Sequence, residues 1–167
     1  MADPILRDWR LTDVASLARH ANNIHVWNNL RDGFPYPYTE RDAELFIQMV
    51  TRKPRPSVDK AIEVDGEAVG SIGITLHDGV ERVSAEIGFF IGEAYWNRGI
   101  TTEAIKQMSA YAFAHFPIER LYASVFDFNI ASQRVLRKAG FVREAVLPRA
   151  AIKNGVVVDW LYFARYR

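Results

Sequence analysis

Apolar positions along this chain change rhythm several times, and each change marks an element. RVSAEIGFFIG alternates strictly, setting Val83, Ala85, Ile87 and Phe89 on one face and Ser84, Glu86 and Gly88 on the other, so it predicts a strand over 83–91. From Gly99 the period becomes helical: Ala104, Ile105, Met108, Tyr111 and Ala112 recur at three- and four-residue spacing up to Phe116-Pro117. RLYASVF reads as a further strand. Ala131, Val135, Leu136 and Ala139 then mark a helix closed by Gly140 at the position of a C′ glycine.

Before this stretch, ILRDW predicts a short strand, and Thr12-Asp13 offers an N-cap ahead of Val14, Leu17 and Ala18. Residues 24–38 are aromatic and broken by Gly33, Pro35 and Pro37, which predicts a partly helical segment ending in an irregular loop. Thr39 with Asp42 resembles an acid-substituted capping box before the helical spacing of Ala43, Phe46, Ile47 and Val50. RKPRPS reads as a linker, KAIEVDGEAVGSIGITL as a hairpin pivoting on Asp65-Gly66, and the C-terminal segment as a hairpin turning on Asn154-Gly155. The order is strand, two helices, three strands, helix, strand, helix, two strands. That order predicts an α/β layer arrangement around a mixed sheet.

Composition narrows the function. The 167 residues suit a single domain spanning 1–167, and 49% hydrophobic with 25% charged residues excludes disordered, collagen-like and membrane classes. A net charge of +1 gives no global support for nucleic-acid binding. With no cysteine, disulfides, thiolate nucleophiles and cysteine-metal sites drop out. His20, His25, His77 and His115 lack metal-ligand spacing, so no metal is expected. MADPILRDWR carries charges where a signal peptide needs an apolar core, and no apolar run reaches the roughly 18 residues of a spanning helix. A cytoplasmic protein with no membrane contact is the expectation.

Two local features carry chemistry. YWNRGITTEA places Asn97, Arg98, Gly99, Ile100 and Thr101 at a strand-to-helix turn. Unpaired N–H groups at a helix start attract phosphate, and Gly99 permits a positive φ or close approach of an anion to bare backbone. By itself this turn is also compatible with a plain solvated loop, and it matches neither the P-loop nor the dinucleotide fingerprint. Glu86 is the second feature, a carboxylate inside an apolar strand that must be hydrogen-bonded or functional. Gly88 beside it permits a bulge that would splay strands and free backbone groups.

AEIGFFIGEAYWNRGITTEA resembles the core motif of the GNAT acetyltransferase superfamily, whose turn is usually [QR]-x-x-G-x-[GA]. FNIASQRVLRKAGF resembles that superfamily's next motif, an Asn followed by a helix ending in Gly-Phe. LRDWRLTDVASL, PYPYT and NGVVVDWLYF extend the similarity over nearly the whole chain, toward the branch typified by the RimJ and RimL N-terminal acetyltransferases of ribosomal proteins. Three departures stand out: Trp96 and Thr101 replace the usual first and last turn residues, and Leu136 stands where a tyrosine acid is common.

The resemblance implies a mostly antiparallel seven-stranded sheet with a splayed central pair, flanked by about four helices, and acetyl-CoA as co-substrate. By position, Phe89, Phe90 and Ile91 would pair with the pantetheine arm, the Phe90 N–H polarising the thioester carbonyl. Amides of Asn97, Arg98, Gly99, Ile100, Thr101 and Thr102 would hold the pyrophosphate. Arg134, Arg137 or Lys138 would reach the outer phosphate. Glu86 would be the general base, Ser132 would orient or protonate the sulfur, and Asn129 would bind the cofactor. The acceptor pocket would draw on the loop around His25, Trp27, Phe34, Tyr36 and Tyr38 and on Asp159, with Trp27, Tyr36 and Asp159 as substrate-binding residues. The implied activity is acetyl transfer to a primary amine, on a peptide N-terminus or a small molecule, by direct attack in a ternary complex. Two alternatives stay open at this point: a transferase of a longer acyl group such as succinyl, and a non-catalytic acyl-CoA-binding or regulatory module. A homodimer is compatible with the strand edges.

Overall fold

The computed structural model describes residues 3–52 and 56–167. Its strands are β1 (Ile5–Arg7), β2 (Ser57–Val64), β3 (Glu67–Leu76), β4 (Ser84–Ile91), β5 (Arg120–Phe126), β6 (Val142–Lys153) and β7 (Val156–Tyr166). The helices are α1 (Val14–Ala21), α2 (Ile24–Trp27), α3 (Glu40–Thr51), α4 (Ile100–His115) and α5 (Ile130–Lys138). The predicted element order holds, with α2 as a single turn inside the segment expected to be partly helical. Residues 53–55 of the predicted linker RKPRPS lie outside the described residues.

All seven strands join one sheet in the order β1-β2-β3-β4-β5-β7-β6. Every neighbouring pair is antiparallel except β4–β5. Both hairpins turn where Asp-Gly and Asn-Gly predicted, with positive φ at Asp65 and Gly66 and at Asn154 and Gly155. At the end of α5, Phe141 N–H donates to the Leu136 carbonyl and Gly140 N–H to that of Arg137, the paired bonds of a Schellman motif. Thr39 and Asp42 cap α3 reciprocally, as their spacing predicted. Asp13 behaves differently from the expectation. It stands at the N-cap of α1 without a side-chain cap bond, because its carboxylate accepts from the Arg10 amide and from the Arg7 guanidinium instead.

The sheet has a core on each face. On one, Ala85, Ile87 and Ile91 of β4 meet Ile105 and Met108 of α4, Leu121 of β5, Leu136 of α5 and Phe163 of β7. On the other, Trp9, Leu17, Tyr38, Ala43 and Ile47 from the α1–α3 side pack over Ala61 and Ala68, with Phe90 against them. Each large side chain buried here contributes roughly 1.5–3 kcal/mol by leaving water. The alternation of β4 is therefore a division of labour: Ile87 and Phe89 face the α4 core, Glu86, Gly88 and Phe90 face the α1–α3 side.

The central pair is splayed, and the cause is not the one expected. β4 stays in register with β3 from Ala85–Leu76 through Gly88–Gly73 to Ile91–Gly70, so Gly88 carries no bulge. Against β5, however, β4 pairs only at Ser84–Arg120, Ala85–Leu121 and Glu86–Tyr122. Beyond Glu86 the strands part, while β5 continues along β7 as far as Phe126–Trp160. The remaining β5-facing backbone of β4 is left without a strand partner, at the mouth of α4.

Candidate active site

The edge that β4 presents to the gap follows from alternation, since residues two apart point their N–H and C=O the same way. Val83 offers its carbonyl to Glu119 and Arg120 on the β5 side, whereas Ser84 accepts from His77 and Gly92 donates to Val69 on the β3 side. Odd-numbered residues therefore face the gap: Phe89 and Ile91 direct their amides and carbonyls into it. The Phe90 amide points to Ser71 on β3, so it is not available as the carbonyl-polarising donor that the family position suggested. A bulge at Gly88 would have reversed this parity; its absence fixes it. The indole of Trp96 donates to the Ile91 carbonyl at 2.9 Å. Trp96, one of the two residues that depart from the turn consensus, thus braces the edge of the gap.

A cavity of about 370 Å³ opens from this gap toward the start of α4. β4 lines it with Phe89, Phe90 and Ile91, the turn with Asn97, Arg98 and Gly99, and the first turn of α4 with Ile100, Thr101 and Thr102. Asn97 and Gly99 both have positive φ, and Gly99 is the N-cap of α4. Having no side chain, it caps nothing. The first intrahelical bond is Glu103 N–H to the Gly99 carbonyl, so the amides before it lack helical partners and point outward. The positive end of a 16-residue helix sits there too.

α5 forms the opposite wall through Asn129, Ser132, Arg134 and Lys138. Asn129 is buried and caps α5, its side-chain oxygen accepting from the Ser132 amide at 3.1 Å. The cap is what aims Asn129 and Ser132 at the cavity. Of the three basic residues, Arg134 and Lys138 share the cavity-facing side, one turn apart. Arg137 lies elsewhere, its guanidinium 5.2 Å from the centre of the Phe163 ring. Leu136 is fully buried and takes no part. With Arg98, the cavity is lined by three cations.

α2 and the loop after it supply the third wall, with Val26, Asn29 and Leu30. Arg31, next in sequence, crosses to Glu86. Its Nη2 donates to Glu86 Oε1 at 3.3 Å and to Ser124 Oγ at 3.0 Å, and the guanidinium lies 4.9 Å from the Trp160 ring centre. Ser124 Oγ also donates to Glu86 Oε1 at 3.1 Å, and Tyr122 OH to Oε2 at 3.5 Å. Burial and the Glu86 charge push the Tyr122 phenol up to about 12, so it stays a donor at neutral pH. Its oxygen is 2.9 Å from His77 Nε2. Glu86 is only 31% exposed at the side chain. A carboxylate, two hydroxyls and an arginine thus converge at the last β4–β5 pair, where the strands begin to separate.

The residues that fit an acyl-CoA are those of this cavity: a strand edge with unpaired amide groups, apolar walls, uncapped helix amides and cations at the far end. Comparison with known proteins identifies the arrangement. A family model described as "Acetyltransferase (GNAT) domain" matches residues 4–142. The chain belongs to the GNAT acetyltransferase family. "Uncharacterized N-acetyltransferase YoaA" of Bacillus subtilis is 37% identical over 93 residues, 56% of this chain and 52% of that protein. "L-amino acid N-acetyltransferase AaaT" of Escherichia coli is 27% identical over 115 residues, 68% of this chain and 71% of that protein. The chain spans about half the length of the first curated relatives it matches. The structure of "Mycobacterium smegmatis RimJ in complex with CoA-disulfide" superposes with a TM-score of 0.86 at 26% identity, covering 96% of this chain and 80% of that one.

Within this GNAT domain the expected acceptor residues sit apart from the cavity wall. Trp27 donates its indole N–H to the Phe34 carbonyl, and the Lys153 ammonium rests 3.4 Å from its ring centre. Tyr36 packs beside it, with ring centres 6.1 Å apart. Asp159 accepts from the Arg149 amide at 2.8 Å, where β6 shifts register and Arg149 has positive φ. These three hold the loop and the hairpin in shape. A wider space of about 610 Å³ between loop and hairpin is lined instead by His25, Asn28, Glu93 and Lys153 among others, and it shares Asn29 and Trp96 with the first cavity. Sequence reasoning missed Arg31, Ser124 and Tyr122, and no local signal marks them. Among the described residues no cluster suits a metal ion, and no helix is long and apolar enough to cross a membrane.

Proposed function

We propose that this GNAT domain transfers an acetyl group from acetyl-CoA to a primary amine. The observation that carries the reading is the junction of the parted β4 edge with the uncapped start of α4 in one cavity, with Glu86 at the last β4–β5 pair before the strands separate. The amides of Ile100, Thr101 and Thr102 with Arg98 take the pyrophosphate, and Arg134 and Lys138 take the outer phosphate. Phe89 and Ile91 pair with the pantetheine arm. Acetyl-CoA supplies a thioester carbonyl and a leaving thiol.

An ammonium has no lone pair, so the acceptor must lose a proton before it attacks. Glu86 receives that proton, directly or through water, and Tyr122 and Ser124 hold its carboxylate in place. The amides of Phe89 and Ile91, rather than Phe90, face the carbonyl oxygen as negative charge grows on it. As the new C–N bond forms and the C–S bond breaks, the second amine proton passes to sulfur; Ser132 orients the sulfur. A thiol of ordinary acidity, with pKa about 8.5, needs no strong acid there. Holding the two reactants together supplies most of the acceleration. The site belongs in the cytoplasm, where acetyl-CoA is made and used. If the chain pairs with itself, the β6 edge with exposed Val142, Val146 and Ile152 is one surface available.

Titration with CoA, followed by thiol release from acetyl-CoA across a panel of peptide N-termini, amino acids, aminoglycosides and polyamines, tests the reading. Binding with turnover of one amine class supports it. Binding without turnover of any amine indicates an acyl-CoA-binding module, and turnover of succinyl-CoA above acetyl-CoA a longer-chain transferase.

A further inference from the structure

Arg31 and Glu86 stand side by side as opposite charges where β4 and β5 part, beyond the cavity wall formed by Asn29 and Leu30. Their contact is a single bond of 3.3 Å made by one nitrogen of the guanidinium, whose side chain is 65% exposed. A pair this long and this wet contributes little and exchanges readily for a ligand. Among the described residues the other donors of the Arg31 fork have no partner. The guanidinium is nevertheless placed: Ser124 Oγ holds Nη2 and Trp160 lies beneath it. An arginine held on an aromatic ring with its fork open is suited to a carboxylate, which it can take in two parallel bonds.

We infer that Arg31 and Glu86 together form the site for an acceptor carrying a carboxylate next to its amine, that is, a free α-amino acid. This rests on the acetyl-transfer reading above. Arg31 takes the carboxylate and Glu86 faces the amine, so the acceptor replaces the contact the two make with each other. The space is there: Gly88 lies on the same face as Glu86, is exposed, and a Cβ built on it meets nothing within 4 Å. The loop connection is direct, because Asn29 and Leu30 line the cofactor cavity and Arg31 follows them. Charge disfavours other classes. A polyamine would bring a second cation against Arg31, and a neutral amide-ended amine would separate the ion pair while offering Arg31 a single uncharged acceptor in place of a two-oxygen carboxylate.

The test compares L-amino acids with their carboxamides as acceptors, using the full chain, acetyl-CoA and thiol release, for the wild type, Arg31→Met and Arg31→Lys. Wild type should use the acids with kcat/KM at least tenfold above the amides. In Arg31→Met that preference should collapse to about one, chiefly through KM for the acid, and Arg31→Lys should restore part of it. Equal use of acid and amide by the wild type overturns the inference, as does a preference that survives Arg31→Met, or turnover confined to peptide N-termini or polyamines. Those results leave acetyl transfer standing. Failure to bind CoA, or absence of turnover with every amine, overturns the parent reading and this one with it.

Discussion

A Cβ placed on Gly70 would sit 2.4 Å from the carbonyl oxygen of Phe90 and 2.9 Å from Cα of Ile91. Both neighbours are backbone of the very segment whose other edge faces the gap. Gly70 therefore sets how closely β3 backs β4. Gly70→Ala must push Phe90 and Ile91 toward the cavity, at a cost of about 1–3 kcal/mol in stability. A lowered Tm together with weaker CoA binding is the expected result; a Tm drop with CoA affinity intact would show that the edge position is not critical.

Glu86→Gln keeps the shape of the side chain and one accepting oxygen for Ser124, but turns the position facing Tyr122 into an NH2 donor and removes the proton acceptor. Loss of a general base slows turnover by roughly 10²–10⁴-fold. CoA affinity should not change, because Glu86 lies outside the cofactor cavity wall. Steady-state turnover and CoA titration on the same preparation separate the two. Unchanged kcat would reduce Glu86 to a sheet-anchoring residue.

Arg134 and Lys138 face the cavity, and Arg137 lies against Phe163. Arg134→Ala and Lys138→Ala should each weaken CoA binding, less so at high salt and less for dephospho-CoA. Arg137→Ala should lower stability slightly and leave both affinities alone. Equal effects of all three would mean that general positive charge, not position, holds the phosphate.

How far the sequence could go depended on how local each signal was. Asp65-Gly66, Asn154-Gly155, Thr39 with Asp42, and Gly140 each determine their turn or cap within a few residues, and all appear where predicted. The strand-to-helix turn was legible for the same reason: the positive φ of Gly99 and the unpartnered amides after it need no distant partner. The Phe90 amide was misassigned because its direction depends on whether β4 bulges at Gly88, a matter of register against β3 that alternation alone leaves open. Arg31 could not be found at all. It meets Glu86 55 residues away and Ser124 93 residues away, from an irregular loop whose path is set by tertiary packing. Trp27, Tyr36 and Asp159 looked like acceptor contacts by composition, yet each is already committed to another bond or ring.

Acid should unfold the N-terminal corner early. Burial pushes the Asp13 carboxyl up, but the Arg7 guanidinium and the Arg10 amide outweigh it and hold it below the usual carboxylate range. A depressed folded value stabilises the protein above the unfolded value of about 3.9, and that contribution is lost as pH falls through the folded value. Asp13→Asn should lower stability at pH 7 by about 2 kcal/mol, the scale of hydrogen bonds to a charged partner. Its denaturation midpoint should then fall less steeply than the wild type's between pH 5 and about pH 2. Parallel acid limbs for the two proteins would remove Asp13 from the account.

Gly88 offers the converse of Gly70. It sits inside β4 on the Glu86 face, with open space where a Cβ would go. Its φ is ordinary for a strand, so nothing in the backbone demands glycine there, and alanine in a strand interior is favoured by roughly 0.5–1 kcal/mol. Gly88→Ala should therefore hold or raise the Tm. The new methyl would stand beside the Glu86 carboxylate, between it and Phe90, where the acceptor amine has to approach. A loss in kcat/KM for the acceptor is expected, deepening in Gly88→Val, with CoA affinity close to wild type in the alanine variant. A position where a larger residue improves the fold and impairs the reaction is one kept small for a substrate. If both variants turn over normally, the acceptor does not pass this face of β4, and the assignment of Glu86 as its proton acceptor loses its geometric support.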